Sequence, residues 1–356
     1  MSIDRGDIDD GARRSASQLL ARAAASLGRA DRGLAHTIDD FFVPDNARLD
    51  DRTRAMLAAT VRAMVAAVEG DLRRHVARTL TAAGDDDRAR WLSEGDPVHD
   101  RLVASGLLRD PDLMRELIAR TRQDLLADRF PMGTPDEAGA ASLLARLTAS
   151  ADARVAGAAL TLMAAEGRRR GFIDTGRLTH TELPAELHHR LVWWVAAAVR
   201  EQLSGADADR ALADAALRAL GSHDESNNVE GAAMRLAAAI DAQPAELAAL
   251  LVRALSDRNV ALFIALLALP LRLDYAVARQ VVVAGGDPLW LALRAVDLDR
   301  ETVARIGLVL SNDIEAFADQ LDAIVAVTPT EARAALASLS LPTDFRAAMA
   351  ALAAAR

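Results

Sequence analysis

Apolar residues recur three and four positions apart through residues 247–311 of this 356-residue chain. In the first run of this stretch, the apolar residues that share one helix face are Leu247, Leu250, Leu251 and Leu255. Short polar breaks at residues 256–259 and 285–288 separate this run from those that follow. Because the breaks are only a few residues long, neighbouring helices must pack back on each other. The pattern predicts a stack of short helix pairs.

Prolines mark the starts of further helices, because proline lacks the N–H that would have no partner at the first helical position. Eight prolines stand where a helix is predicted to begin: Pro97, Pro111, Pro135, Pro184, Pro244, Pro288, Pro329 and Pro342. Thr134 and Thr328 each precede a glutamate by three residues, which is the spacing of a capping box. Asp287 is a predicted N-cap. No sustained apolar–polar alternation typical of strands occurs, so we predict an all-α fold.

The segment that follows the helix predicted before residue 128 contains Pro131 and Gly133 and precedes a fresh capping box. We therefore predict an N-terminal helical bundle over residues 1–133 and a helical-repeat domain over residues 134–356. Within the second domain, residues 147–155, 255–260 and 310–314 share one pattern: a helix ends on Leu, a polar turn carries Asp, and a branched apolar residue opens the next helix. The Asp is expected to cap the incoming helix. Such spacing fits helical-hairpin repeats.

This turn pattern resembles that of HEAT-type helical repeats. The apolar spacing from Phe263 to Leu298 resembles a bacterial family known as domain of unknown function 2336, and the likeness covers residues 143–310. The resemblance implies a helical-hairpin (HEAT-like) repeat array. The family carries no established catalytic residues, so the resemblance assigns no site residue to this chain.

Composition narrows the class of protein. Hydrophobic residues make up 51% of the chain but aromatic residues only 3%, so Ala and Leu must fill the core, which favours closely spaced helices. The formal net charge of -9 disfavours binding to nucleic acid. There is no cysteine, which excludes disulfides and thiolate metal sites. The longest apolar run, Val260–Leu271, is shorter than the roughly 20 residues that a membrane span needs. Residues 1–11 lack the apolar stretch of a signal peptide, so we expect a cytoplasmic protein without a membrane partner.

The helix predicted after Pro184 places an aromatic residue on its polar face. The residues expected to face the core are Leu187, Leu191, Trp194, Val195 and Ala198. Trp193 falls nearly opposite, and the polar residues beside it are Glu186, His189 and Arg200. Two interpretations stay open: Trp193 packs against another helix of the chain, or it forms part of a protein-binding surface, since Trp and Arg are enriched among interface anchors.

Three consecutive arginines, Arg168, Arg169 and Arg170, are expected to close a helix before Gly171. Cations at that position complement the negative end of the helix dipole. The alternative is a site for an anion or an acidic partner.

Three further patterns have a chemical and a structural interpretation. The pair Glu186 and His189 has the spacing of helical di-iron ligands, but the second copy that such a site needs is missing. Adjacent His188 and His189 would suit a phosphoacceptor helix, but no nucleotide-binding domain accompanies them. Residues 285–287 read Gly-Gly-Asp and lack the remaining residues of a phosphate loop, so we interpret them as a turn.

We expect a non-enzymatic adaptor or regulatory scaffold that binds a protein partner. The residues expected to contact that partner are Trp193, His189, Arg200, Arg168, Arg169 and Arg170. The alternative is a helical enzyme or metal-carboxylate protein whose site is assembled only in the fold. A homodimer with Trp193 at its interface is a third interpretation. The sequence indicates no cofactor and no metal.

Overall fold

The computed structural model describes residues 49–130, 141–176, 178, 181–203, 205–225, 228–311 and 313–354, together with Ala16, Gln18, Leu19 and Arg22. Helices account for most of these residues, and no strand occurs among them. The prediction of an all-α fold is confirmed. The chain divides into two compact units. Unit 1 comprises Met1–His36, Arg122–Leu160 and Ala233–Arg356, and unit 2 comprises Thr37–Thr121 and Thr161–Ala232.

The α-helices follow one another with short connections. In chain order they are α1 (Asp51–Ala82), α2 (Asp86–Ser93), α3 (His99–Ser105), α4 (Pro111–Arg129), α5 (Leu143–Thr148), α6 (Ala153–Thr175), α7 (Ala185–Arg200), α8 (Ala206–Gly221), α9 (Val229–Ile240), α10 (Pro244–Ser256), α11 (Val260–Leu271), α12 (Tyr275–Ala284), α13 (Gly286–Ala295), α14 (Arg300–Leu310), α15 (Ile314–Ala326), α16 (Pro329–Leu336) and α17 (Thr343–Ala354). Two short 3₁₀ helices, Leu107–Arg109 and Ala337–Ser340, lie between them.

The core of unit 2 is built around the 32-residue helix α1. Its buried apolar side chains follow helical spacing and include Leu57, Val61, Met64, Val68, Leu72, Val76 and Leu80. Helices α2, α7 and α8 pack against α1. The side chain of Asp50 accepts a hydrogen bond from the backbone N–H of Thr53 at 2.9 Å and so caps the start of α1.

The core of unit 1 is built around α11, which explains the uninterrupted apolar run in the sequence. Residues 260–268 are all buried, as expected of a helix that is apolar on every side. Helices α10, α12 and α13 pack against it. Among the described residues, no single helix is both long and apolar enough to cross a membrane. Helices α11 and α12 reach that length and apolarity only when taken together, and the chain bends by 115° between them.

Close helix packing in unit 1 also depends on a glycine. Gly307 of α14 faces Phe317 of α15, and a Cβ atom at position 307 would overlap the Phe317 ring. The same ring lies 4.7 Å, centroid to centroid, from that of Trp290 in α13. Gly307 therefore lets α14 and α15 approach closely enough for this aromatic pair to form.

Most of the helix starts predicted from proline are close to those observed. Pro111, Pro244 and Pro329 are the first residues of α4, α10 and α16. The capping box at Thr328 is confirmed, since its backbone N–H donates to a Glu331 carboxylate oxygen at 3.0 Å and its hydroxyl accepts from the backbone N–H of Glu331 at 3.3 Å. Thr134 and Pro135 lie outside the described residues.

The predicted cap at Asp287 is wrong. Helix α13 begins one residue earlier, at Gly286, because Gly285 takes the N-cap position with a positive φ of 63° that glycine adopts readily. Asp287 therefore lies inside the first turn of α13. Residues 285–286 form the turn between α12 and α13, as predicted.

Two of the three predicted Asp caps form. Asp152 accepts the backbone N–H of Arg154 at 2.8 Å, and Asp313 accepts that of Ala316 at 2.9 Å. Asp257 does not cap α11, because its carboxylate instead accepts hydrogen bonds from the backbone N–H of Leu143 and from the Arg253 side chain. The HEAT-like repeat arrangement and the domain boundary at 133/134 stay predictions, and residues 131–140 lie outside the described part of the chain.

Candidate functional site

Helix α7 has one buried face and one exposed face, as its sequence predicts. The predicted core residues that are buried are Leu187, Leu191, Val195 and Ala198. Trp194 is only half-buried, so its placement in the core is wrong. An indole of that size is rarely covered completely. Trp193 lies on the other face with 36% of its surface exposed.

Trp193 is held in place by its neighbour one helical turn earlier. Its Nε1–H donates a hydrogen bond to Nε2 of His189 at 3.1 Å, and the two rings meet edge to face with centroids 6.2 Å apart. Since Nε2 accepts this bond, the neutral His189 ring carries its proton on Nδ1. The exposed indole is thus fixed in one orientation by a contact within α7.

Two sets of ion pairs join α7 to the segment 101–112. At the carboxyl end of α7, Arg101 donates to both carboxylate oxygens of Glu201 at 2.6 and 2.8 Å. Nearer the amino end, Arg190 donates to Asp110 at 2.9 Å and to Asp112 at 3.2 Å. The segment 101–110 therefore runs antiparallel to α7, so that the residues between the two sets of ion pairs lie alongside Trp193.

Two of those intervening residues, Val103 and Leu107, are exposed apolar side chains. Together with Trp193 and His189 they form an exposed area that we call the Trp193 surface. Charged residues border it at both ends through the ion pairs of Arg101 and Arg190. Such a patch, apolar at its centre and charged at its edge, has the anatomy of a protein–protein interface.

A shallow open depression of about 440 Å³ adjoins the Trp193 surface at the start of α7. Its lining residues are Ala185, Glu186, His189 and Arg190. The predicted residue Glu186 thus lies at one end of the surface and shares the depression with His189. The depression gives a partner side chain a recess next to the exposed indole.

Arg200, a predicted contact residue, lies at the far end of α7. It is exposed, and it donates two hydrogen bonds to the Asp209 carboxylate of α8 at 2.9 and 3.1 Å. This donation lowers the pKa of Asp209. In the same way, hydrogen bonding from Arg101 lowers the pKa of Glu201. The charged edge of the surface therefore stays ionised at neutral pH and consists of paired charges.

The three consecutive arginines have different surroundings. Helix α6 continues through Gly171 to Thr175, so the prediction that they close a helix before Gly171 is wrong. Arg168 and Arg170 are exposed, and Arg170 donates to Glu166 at 3.1 Å. Arg169 is buried and binds two carboxylates inside unit 2. We therefore do not include Arg169 in the proposed partner-binding surface.

Sequence reasoning did not find a clamped segment at residues 181–183, which we call the strap. Arg120 donates to the carbonyl oxygens of Thr181 at 3.3 Å and of Glu182 at 2.7 Å. The Glu182 carboxylate accepts from Arg169 at 3.0 Å. Glu182 has a positive φ of 50°, which a residue other than glycine adopts only when its surroundings enforce it. The strap leads directly into α7 and fixes where that helix begins.

Two histidines complete the clamp. The His188 ring stacks on His223 with centroids 3.9 Å apart and an angle of 12° between the rings. His188 Nδ1 is 2.9 Å from the Thr181 hydroxyl, and His223 Nε2 is 2.7 Å from the carbonyl oxygen of Leu183. Burial, and secondarily the neighbouring His223, lowers the pKa of His188 to about 4. Of the adjacent histidines considered as phosphoacceptors, His188 is therefore buried and only His189 is accessible.

The residues predicted as di-iron ligands are not joined by further ligands. Within the described ranges, no group of three or more His, Asp or Glu side chains is arranged to hold a metal ion. Glu166, which lies near the arginines of α6, carries the other large shift: burial raises its pKa to about 7, against the opposing effect of Arg170.

Comparison with known proteins places most of these helices in one family. The sequence model of a family described as an uncharacterised protein conserved in bacteria (DUF2336) matches residues 137–353, which is more than half of the chain. The chain belongs to this family. The DUF2336 segment contains α7, with Trp193 and His189, whereas Val103 and Leu107 precede it. Neither the curated proteins nor the solved structures yielded a match.

The DUF2336 segment nearly coincides with the predicted second domain, residues 134–356, and includes the residues 143–310 on which the resemblance was based. It also contains parts of both compact units. The Trp193 surface therefore combines a helix of the DUF2336 segment with residues that lie outside it.

Proposed function

We propose that the protein is a non-enzymatic protein–protein interaction module, an adaptor or regulator, that docks its partner on the Trp193 surface. The observation that carries this proposal is an exposed tryptophan, fixed by its hydrogen bond to His189, beside the exposed side chains of Val103 and Leu107. Large aromatic anchors of this kind supply most of the binding energy in many interfaces.

The fixed orientation of Trp193 supports this proposal energetically. A side chain that is already ordered loses little conformational entropy when it is covered by a partner. The charged residues at the edge, Arg101 and Arg190, are already paired with carboxylates, so they present both signs of charge to a partner. We expect a partner segment that contributes an uncharged apolar side chain to the centre and polar residues to the edge.

The exposed arginines Arg168, Arg170 and Arg200 remain proposed secondary contacts. The net charge of -9 argues against nucleic acid as the partner. A cytoplasmic location is part of the proposal and stays a prediction.

The test compares two exposed tryptophans of unit 2. Trp91 of α2 is exposed and lies on a helix that does not contribute to the Trp193 surface, so Trp91→Ala is the matched control for Trp193→Ala. Proteins captured by the wild type from the native host are identified by mass spectrometry, and the strongest candidate is purified. Its affinity is then measured for the wild type and for both variants after circular dichroism has shown equal helix content.

We expect Trp193→Ala to weaken binding by about 30-fold or more, the loss typical of an interface anchor, and Trp91→Ala to leave it unchanged. Leu107→Glu, which keeps Trp193 but places a charge at the centre of the surface, should weaken binding as well. Equal affinities for the wild type and for the Trp193 and Leu107 variants would overturn the proposed docking surface.

A further inference from the structure

Helix α17, in unit 1, carries a stripe of exposed apolar side chains. Phe345, Met349 and Leu352 are four and three residues apart and so share one helix face. Their exposed fractions are 55%, 48% and 71%. Large apolar side chains at these spacings are the anchors with which a helix binds a groove or another helix.

The remaining composition of α17 favours close approach by another helix. Apart from the stripe, nearly every residue from 347 to 354 is alanine. Small side chains beside a stripe let two helix backbones come close together. The charged residues of α17, Asp344 and Arg346, are both at its amino end.

The stability of α17 also requires an explanation. It is 12 residues long, and isolated helices of that length are marginal in water. Most helical stability in proteins comes from packing of the apolar face, yet the apolar face of α17 is exposed and the helix packs on the short 3₁₀ helix Ala337–Ser340. Covering the stripe would supply the missing packing energy.

We propose that the stripe is covered by α17 of a second copy of this chain, with the two helices antiparallel. Met349 is near the middle of the stripe, so a two-fold axis close to it would place each Phe345 against the Leu352 of the other copy. The antiparallel arrangement also separates each Asp344 and Arg346 from its counterpart, whereas a parallel pair would set like charges opposite each other. A two-fold contact of this kind closes on itself and produces a dimer.

The size of the stripe determines the strength of the dimer. With roughly 200 Å² for each large side chain, the exposed part of the stripe amounts to about 350 Å² in each copy. Two copies would bury about 700 Å², compared with about 1,200–2,000 Å² for a stable specific interface. The contact is therefore a weak dimer that forms at micromolar concentrations and above. It uses α17 rather than the Trp193 surface and does not depend on the proposed function.

The absence of cysteine from the chain allows a direct test, because an introduced cysteine is the only thiol. Met349→Cys places that thiol near the proposed axis, where the two Cα atoms can come within the distance of about 7 Å that a disulfide spans. Ala347→Cys is the matched control, because position 347 is exposed on the same helix but about 160° away around its axis. Each variant is oxidised mildly at 5 and 200 µM, and the covalent dimer is quantified on a non-reducing gel.

We expect Met349→Cys to form the covalent dimer at least 10-fold faster than Ala347→Cys at 200 µM, with the difference shrinking at 5 µM. Sedimentation equilibrium of the full chain should show concentration-dependent dimer for the wild type, and monomer for a Phe345→Glu variant with unchanged circular dichroism. Equal crosslinking rates, a wild type that is monomeric at 200 µM, or a dimer that persists in Phe345→Glu would each overturn the proposal.

Discussion

Arg169 and Arg170 are adjacent arginines with opposite environments, and they offer a direct test of the buried charges in unit 2. The Arg169 side chain is 9% exposed, and it binds Glu182 at 3.0 Å and Glu230 at 2.8 Å. The Arg170 side chain is 70% exposed and binds Glu166 at 3.1 Å. Replacing either arginine by glutamine removes one positive charge and keeps a polar side chain.

The expected costs differ because the carboxylates left behind differ in number and burial. Arg169→Gln leaves Glu182 and Glu230 facing each other, and removing one partner from a buried ion pair costs about 3–5 kcal/mol. Arg170→Gln breaks a pair with one exposed partner, for which about 0–1 kcal/mol is typical. Since domains unfold with about 5–15 kcal/mol, the loss of Arg169 should remove a large part of the stability of unit 2.

Urea unfolding at pH 7, followed by tryptophan fluorescence, measures this difference. Three of the four tryptophans are in unit 2, so the signal reports mainly on that unit. We expect a clearly lower midpoint for Arg169→Gln and a midpoint near that of the wild type for Arg170→Gln. The double variant with Glu230→Gln should recover part of the loss, because it removes one of the stranded carboxylates. Equal midpoints for the two arginine variants would refute the assignment of Arg169 as the buried clamp.

Three further predictions concern stability. The lowered pKa of His188 means that the folded state resists protonation there, so no cost arises above about pH 6.5, and a cost that reaches about 2 kcal/mol after solvent screening develops as the pH falls towards 4. His188→Gln should flatten the stability profile in that range, and an unchanged slope would contradict the assignment. The raised pKa of Glu166 has the opposite sign, with stability lost as the pH rises from 4.5 to about 7, so Glu166→Gln should be about 2 kcal/mol more stable than the wild type at pH 8 and similar to it at pH 4.5. Gly307→Ala should lower the free energy of unfolding by about 1–3 kcal/mol, because the added Cβ overlaps Phe317. A neutral Gly307→Ala in thermal unfolding would show that the two helices separate easily.

The sequence predicted those features that depend on neighbours within a few residues. The two faces of α7 follow from side chains three and four positions apart, and the Thr328 capping box follows from a spacing of three residues. The same local reasoning located the turns before α6, α11 and α15. It failed at Asp257, whose carboxylate binds Leu143, a residue 114 positions away along the chain.

Features that depend on distant contacts were not predictable in this way. Arg169 and Arg170 are chemically identical, and only the position of Glu230, 61 residues further along, buries the first of them. The Trp193 surface joins α7 to Val103 and Leu107 because ion pairs across 80 and 100 residues align the two segments. No local pattern contains that alignment, since it results from how unit 2 folds.

Site-specific photocrosslinking in the native host tests the central claim most directly. A photoreactive phenylalanine analogue is placed at Leu107, inside the Trp193 surface, or at Leu217, which is exposed on α8 of the same unit. The proposed docking predicts that irradiation produces one distinct crosslinked species with the probe at position 107, that Trp193→Ala abolishes it, and that the probe at 217 does not give it. The same species from both positions, or none from position 107, would contradict the Trp193 surface as the site of partner binding.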